Sequence, residues 1–163
     1  MQYDERYTPL LEQAGLAVVA HVVRRGIPPF NGPALTALVD RWRPETHSFH
    51  LPCGEMTITL QDVAMTLGLP IHRKPVTGRV ISALWRERFE ELLGRPPQEA
   101  EDGKKLRVSG VQLSWLRGTF GVCPPDADEQ TISYHARAWV LHMFGTVLFP
   151  DGTGVSLHIL LFC

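Results

Sequence analysis

The chain has 163 residues, 44% of them hydrophobic, which is long enough for one domain with a buried core. Its 16 basic and 17 acidic residues give a formal net charge of −1, which excludes a global electrostatic attraction to nucleic acid or anionic lipid. Three cysteines do not form a disulfide framework and the N-terminus lacks a secretory signal pattern, so we expect a soluble intracellular protein with reduced thiols.

The N-terminal stretch is predicted to form three helices. Asp4 begins the first, Gly15 interrupts it, and an apolar stripe at helical spacing continues the second. Asn31 or Pro33 then starts a third helix, which Pro44 stops. Apolar residues at steps of three and four predict that the third helix faces the core, and they are Leu35, Leu38, Val39 and Trp42.

Residues 47–59 are predicted to form a β-hairpin. A turn rich in proline and glycine separates two short runs, His47 to Leu51 and Met56 to Thr59. Because side chains alternate along a strand, Met56 and Ile58 should share one face.

A capped helix is predicted to follow this hairpin. Thr59 stands three residues before Asp62, the spacing of an N-terminal capping box, and Gly68 closes the helix. A second turn cluster rich in proline, glycine and basic residues spans residues 71–80.

The C-terminal half is predicted to be mostly helical. A helix runs from Ser82 to Leu93, and residues 95–107 form a charged surface loop. A further helix spans residues 112–120, and carboxylates from Asp126 to Asp128 precede a long helix that ends near Phe149.

These elements predict a mainly α fold. We expect a compact multi-helix domain with one or two small β-hairpins, around residues 47–59 and 71–80. The sequence contains no internal repeat and no low-complexity segment that would indicate another architecture.

Five motifs follow one another between Asp40 and Gly78. They are Trp42-Arg43-Pro44-Glu45-Thr46-His47, Phe49-His50-Leu51-Pro52-Cys53-Gly54-Glu55-Met56, Leu60-Gln61-Asp62-Val63-Ala64, Gly68-Leu69-Pro70 and Pro75-Val76-Thr77-Gly78. In this order they resemble the plant mobile domain, a family of host nuclear proteins and plant transposons that is often labelled aminotransferase-like. The resemblance implies a domain over residues 1–154, the N-terminal part of such a domain, and a hydrophobic tail at residues 155–163 that departs from the family pattern.

A zinc site is one alternative that the residues offer. His47, His50 and Cys53 are spaced by threes, but a closed structural site needs a fourth ligand. Other candidate ligands form no recognisable paired motif, and they are Cys123, His135, His142 and Cys163. We prefer the structural interpretation, in which the two histidines form hydrogen bonds in the hairpin and Cys53 is a turn residue.

No pattern in the sequence selects a catalytic group. A Cys–His pair would need a base or a cation beside the thiol, and nothing singles out one cysteine. The aminotransferase label would require a lysine that forms a Schiff base, but Lys74, Lys104 and Lys105 lie in turn-like or highly charged stretches. Glycine-rich phosphate loops are absent. We therefore predict that the chain is not an enzyme and uses no cofactor or metal.

The resemblance implies a nuclear module linked to transposon silencing, gene-expression control and meristem development. Some similar proteins work with a serine/threonine phosphatase of the protein phosphatase 7-like group. We predict a protein-interaction scaffold with nuclear protein partners, no membrane, and self-association through the C-terminal tail. The alternative is a nucleic-acid-binding module that uses local basic surfaces. The predicted partner-binding residues are Arg41, Trp42, Arg43, His47, His50, Arg73, Lys74 and Arg79.

Overall fold

The computed structural model describes residues 1–26, 29, 31–69, 71–72, 85–96, 110–149 and 156–158. A short 3₁₀ turn, Glu5–Tyr7, precedes the first helix. The helices are α1 (Thr8–Ala14), α2 (Ala17–Arg25), α3 (Gly32–Val39), α4 (Leu60–Leu67), α5 (Trp85–Leu93), α6 (Leu113–Phe120) and α7 (Glu129–Met143). The strands are β1 (Trp42–Arg43), β2 (Ser48–Leu51), β3 (Gly54–Met56), β4 (Gly110–Gln112) and β5 (Ser156–His158). The prediction of a mainly α fold is confirmed.

The chain divides into two compact units. One consists of Met1–Ala14 together with Lys74–Cys163, and we call it the core unit. The other, Gly15–Arg73, contains most of the motif-bearing run, and we call it the signature unit. Within the ranges that the structure describes, no helix is long and apolar enough to cross a membrane.

The core unit is built on α5, α6 and α7, whose apolar faces meet in one cluster. Leu116 of α6 is fully buried there, and Phe89 of α5 and Leu141 of α7 pack in the same cluster. β4 contributes Val111 and pairs antiparallel with β5, so that Val111 lies opposite Leu157. The core therefore combines three helices with one short strand pair.

The long helix α7 begins as predicted and ends in an unexpected way. The Asp128 carboxylate caps it by accepting a hydrogen bond from the Thr131 N–H at 2.9 Å. Beyond Met143 the chain continues as a wider, π-helical turn over Phe144–Leu148. The Phe149 N–H donates to the Phe144 carbonyl at 2.8 Å, which closes a ring one residue larger than an α-helical turn.

The signature unit holds α2, α3, α4 and a three-stranded antiparallel sheet in the order β1-β2-β3. The predicted hairpin is confirmed as β2 and β3, joined by a two-residue turn between Leu51 and Gly54. Gly54 adopts a φ of 129°, which a residue with a Cβ rarely adopts. The second strand of this hairpin ends at Met56, whereas the sequence predicted that it would begin there.

The capped helix α4 follows the predicted pattern. The Thr59 hydroxyl accepts from the Asp62 N–H at 3.2 Å, and the Asp62 carboxylate accepts from the Thr59 N–H at 2.8 Å. Gly68 ends the helix with a φ of 67°. A Cβ on Gly68 would lie 2.7 Å from a methyl carbon of Val18, so glycine is required here for space as well as for conformation.

Two predictions for the signature unit were wrong. The third helix begins at the Asn31 cap as expected, but every residue of α3 is exposed, so it does not face a core. Apolar spacing identifies a face without identifying what covers it. Trp42 was assigned to that helix, but it lies in β1, where it pairs with Phe49 of β2. This pairing depends on the register of the two strands, which helical spacing in the sequence does not reveal.

Three predicted segments fall at least partly outside the described residues. Most of the second hairpin, residues 71–80, lies there, since only residues 71–72 are described. The charged loop at residues 95–107 is described at residues 95–96 alone. The predicted helix from Ser82 to Leu93 is described from Trp85 onward as α5.

Candidate interaction surface

The sheet of the signature unit has two chemically different faces. Residues directly opposite each other in an antiparallel pair project from the same face of the sheet. Trp42 lies opposite Phe49, and Phe49 lies opposite Met56. These three side chains therefore form one apolar row across all three strands. Ile58 lies two residues beyond Met56, after the end of β3.

Exposure increases along this apolar row from β1 to β3. The rings of Trp42 and Phe49 pack at a centroid distance of 4.9 Å, and both side chains are half-buried. Met56 is 55% exposed and Ile58 is 69% exposed. The apolar row is thus half-buried on β1 and β2 and exposed on β3.

The opposite face of the sheet is polar. The Glu55 carboxylate lies 3.1 Å from His50 Nε2 and accepts from the Ser48 hydroxyl at 3.3 Å. Ser48, which is buried, also shares a hydrogen bond of 2.7 Å with the Thr46 hydroxyl. These bonds satisfy the polar groups in the middle of the sheet and leave the Glu55 side chain partly open to solvent.

The turn between β1 and β2 helps to fix this geometry. His47 adopts a φ of 53°, a left-handed conformation that is uncommon for a residue other than glycine. Its carbonyl accepts from the Thr57 hydroxyl at 2.8 Å, and its ring lies 6.4 Å from the Trp42 ring in a T-shaped arrangement. The segment after β3 is therefore held beside the start of β2.

The predicted partner-binding residues do not lie on one face. Trp42 belongs to the apolar row and His47 contacts its ring, whereas Arg43 and His50 belong to the polar face. The Arg41 guanidinium donates to the Ala37 carbonyl at 2.8 Å, so this side chain folds back onto the C-terminal end of α3. The remaining predicted residues, which lie outside the described ranges, are Arg73, Lys74 and Arg79.

The sequence analysis missed the apolar row as a candidate surface. The sequence signal for this surface was the expectation that Met56 and Ile58 share one face of a strand. The register that places Met56 opposite Phe49 was not predicted. Across the residues that the structure describes, ten large hydrophobic side chains are exposed, and eight belong to the signature unit. Those eight are Val18, Leu35, Leu38, Val39, Met56, Ile58, Leu60 and Met65.

A second cluster of polar groups lies in the core unit. Burial, and then the neighbouring Cys123 thiol, raise the pKa of Tyr7. The hydrogen bonds from Arg6 lower the pKa of Asp4 to about 2, and the two side chains form an ion pair of 2.8 Å. Burial lowers the pKa of His135, whose Nδ1 has no hydrogen-bond partner in the described structure.

Arg6 of this cluster anchors the N-terminal turn. The Arg6 guanidinium donates to the carbonyls of Pro124, at 2.8 Å, and Pro125, at 3.3 Å, and so ties the N-terminal turn to the loop before α7. Over the described ranges, no group of three His, Cys, Asp or Glu side chains is arranged to hold a metal ion. The described structure therefore shows no such site at the spaced residues His47, His50 and Cys53.

The chain is similar to several plant proteins. The model of the plant mobile domain family matches residues 20–163, a range that includes the C-terminal tail. Protein MAIN-LIKE 1 of Arabidopsis thaliana is 40% identical over 154 residues, which are 93% of this chain and 29% of that protein. Protein MAINTENANCE OF MERISTEMS of Arabidopsis thaliana is 36% identical over 161 residues, 93% of this chain and 31% of that protein.

A further relative bears the name of an enzyme. The serine/threonine-protein phosphatase 7 long form homolog of Arabidopsis thaliana is 48% identical over 117 residues, 72% of this chain and 8% of that protein. The chain therefore spans less than a third of each of these three relatives. No solved structure matches it.

Proposed function

The chain belongs to the plant mobile domain family, and from that membership we propose that it acts as a non-catalytic protein-interaction module of transposon-related origin. We place this activity in the nucleus and link it to transposon silencing, gene-expression regulation and meristem development. The name of the relative MAINTENANCE OF MERISTEMS supports the last of these links.

One observation carries the proposal. Large hydrophobic side chains are exposed mainly in the signature unit, which holds eight of the ten found among the described residues. Clustered apolar exposure of this kind marks surfaces that bind another protein, because exposed apolar area is stabilised by removal from water. The apolar row of the sheet supplies an ordered part of that surface.

A phosphatase of the protein phosphatase 7-like group is the partner class that we propose. A segment of the phosphatase 7 long form homolog is 48% identical to this chain, so a domain of this family occurs in a protein named for that group.

Proximity labelling in plant nuclei tests the proposal. The chain, fused to a labelling enzyme, should enrich a phosphatase or chromatin proteins over the labelling enzyme alone. A Val39→Ser, Met65→Ser variant should lose that enrichment, because both side chains are exposed in the signature unit. A Val122→Ser variant changes an exposed side chain of the core unit and serves as the matched control. If the fusion labels the same proteins as the labelling enzyme alone, the proposal would be refuted.

The nucleic-acid alternative predicts a different result. A module that binds phosphates loses affinity for duplex DNA steeply as salt rises, since binding releases counterions. Titration of purified chain with duplex DNA at several salt concentrations distinguishes the two functions. If binding to DNA is salt-sensitive and charge reversal at Arg73 and Lys74 abolishes it, the nucleic-acid function would be accepted in place of the protein-interaction proposal.

A further inference from the structure

The free edge of β3 presents backbone groups that β2 does not use. Leu51 and Gly54 flank the two-residue turn, so Gly54 and Met56 direct their backbone groups toward β2. Glu55 alternates with them, and its N–H and C=O therefore point away from the sheet. The bond from the His50 N–H to the Arg41 carbonyl, 2.9 Å, fits this register, because His50 lies opposite Glu55 and bonds toward β1.

The same edge is where the apolar row is most exposed. In the described part of the chain no strand pairs with β3 on the side away from β2. Met56 projects from one face of this edge and Glu55 from the other, and the exposed Ile58 follows just beyond the end of the strand. An added strand would meet apolar side chains on one face and a carboxylate on the other.

The sequence around this strand carries acidic residues and no lysine or arginine, and His50 pairs with Glu55 within the sheet. No lysine or arginine occurs between Arg43 and Arg73, whereas Glu45, Glu55 and Asp62 lie in that interval. Arg43 lies on β1, two strands away from the free edge. A strand added beside Glu55 is therefore favoured when its polar positions carry positive charge.

We infer that the free edge of β3 binds an extended peptide segment in which apolar residues alternate with lysine or arginine. The segment adds a fourth strand to the sheet. Its backbone bonds to Glu55, its apolar side chains cover Met56 and Ile58, and its basic side chains pair with the Glu55 carboxylate. This inference rests on the proposed function, and it specifies the chemistry of the protein partner.

A second copy of the chain fits this edge less well. Two β3 strands paired edge to edge around a two-fold axis would place the Glu55 carboxylates close to one another. Like charges directly opposite each other in a sheet are destabilising. Charge complementarity therefore favours a basic segment over self-pairing.

A synthetic peptide tests the inference directly. Fluorescence anisotropy of a labelled eight-residue peptide that alternates valine and lysine should show saturable binding to the full chain. A peptide that alternates valine and glutamate should bind at least about tenfold more weakly, because it repels Glu55. Equal binding of the two peptides would overturn the inference.

Two further measurements separate a true strand addition from loose apolar association. Met56→Ser with Ile58→Ser should weaken binding about tenfold, while the exposed control Val122→Ser should leave it unchanged. N-methylation of alternate peptide amides should abolish binding when it blocks the amides facing β3, and have little effect on the other set. This readout leaves the protein unchanged, so it does not depend on variant folding.

The outcomes distinguish this inference from the proposed function. Nuclear labelling that survives Met56→Ser with Ile58→Ser, together with absent peptide binding, would overturn the inference alone. Peptide binding without any labelled nuclear partner would instead overturn the proposed function. Concentration-dependent dimers that Met56→Ser with Ile58→Ser dissociates, without peptide binding, would assign the edge to a second copy.

Discussion

Helices α3 and α6 are each eight residues long, and both carry apolar residues at steps of three and four, yet their surroundings differ completely. Helix α6 buries Leu113, Leu116 and Phe120 in the core unit. Helix α3, in the signature unit, buries no residue. An apolar stripe therefore shows which face of a helix is suited to burial, but not whether that face is buried. In the signature unit, no described residue buries the apolar face of α3.

The contrast extends to the two units as wholes. The core unit contains a hydrophobic cluster of residues from α5, α6, α7 and β4. Among its described residues the signature unit buries only Val19, Ala20 and Ser48. Its local structure depends on a cap, a glycine at a helix end and hydrogen bonds in the sheet. Substitutions in the core unit should consequently change stability through the packing of buried side chains. Substitutions in the signature unit should change it through helix caps, backbone conformation and hydrogen bonds.

The largest effect is expected for loss of core packing. Leu116→Ala, at a side chain with no exposure, should lower the free energy of unfolding by about 2–5 kcal/mol, because it leaves a cavity. Leu60→Ala, at a side chain that is 71% exposed, should change it by no more than about 0.5 kcal/mol. Urea denaturation followed by circular dichroism measures both. Equal losses would contradict the contrast between the units.

Gly68→Ala should have the next largest effect. The left-handed conformation costs a residue with a Cβ about 1–2 kcal/mol, and the close approach of Val18 adds to this. Hydrogen exchange should accelerate in α4. Gly32→Ala is the matched control, since nothing lies within 4 Å of its added Cβ and its φ is not positive. Unchanged exchange in α4 of the Gly68→Ala variant would show that this helix end is not strained.

Removal of the cap should cost less. Thr59→Ala deletes the hydroxyl that accepts from the Asp62 N–H and should destabilise α4 by about 1 kcal/mol. The side-chain hydrogen bond of Thr59 also lowers the pKa of Asp62, so this pKa should rise toward its ordinary value in the variant. Carboxyl NMR titration measures the shift. Thr59→Ser retains the hydroxyl and should behave like the natural chain; an unshifted Asp62 in Thr59→Ala would contradict the assignment.

The smallest effect is expected from mild acidification. Burial, followed by the charges of the N-terminal ammonium and Arg117, lowers the pKa of His142 to about 4. The unfolded value is 6.5, so the stabilisation from the neutral imidazole is complete above pH 6.5 and is lost as pH falls toward 4. As pH falls from 7 to 5, amide hydrogen exchange in α7 should therefore become faster than the pH dependence of exchange in an unstructured peptide predicts. A His142→Gln variant should show a smaller acceleration, and an identical one would refute this origin.

Local hydrogen-bonding patterns made much of the signature unit predictable. Thr59 and Asp62 are three residues apart, so one helical turn brings them together without help from distant residues. The Asn31 and Asp128 caps were predictable for the same reason. Gly68 marks a helix end through its own conformational freedom.

Contacts between strands, which depend on strand register, were not predictable in this way. The two-residue strand β1 was missed because Trp42 continues the apolar spacing of α3, and only its pairing with Phe49 assigns it to the sheet. The same register decides which predicted site residues share a face. It separates Trp42 from Arg43 and His50, although all three lie in the motifs that resemble the family.

The π-helical turn after α7 is the geometry that a helix adopts when it accommodates one inserted residue. Deletion of a single residue between Phe144 and Leu148 would restore the ordinary helical repeat and rotate Phe149 by about 100° relative to the preceding turns. The wider turn thus accommodates one extra residue at the end of the helix, while Met143 and the buried residues before it keep their register.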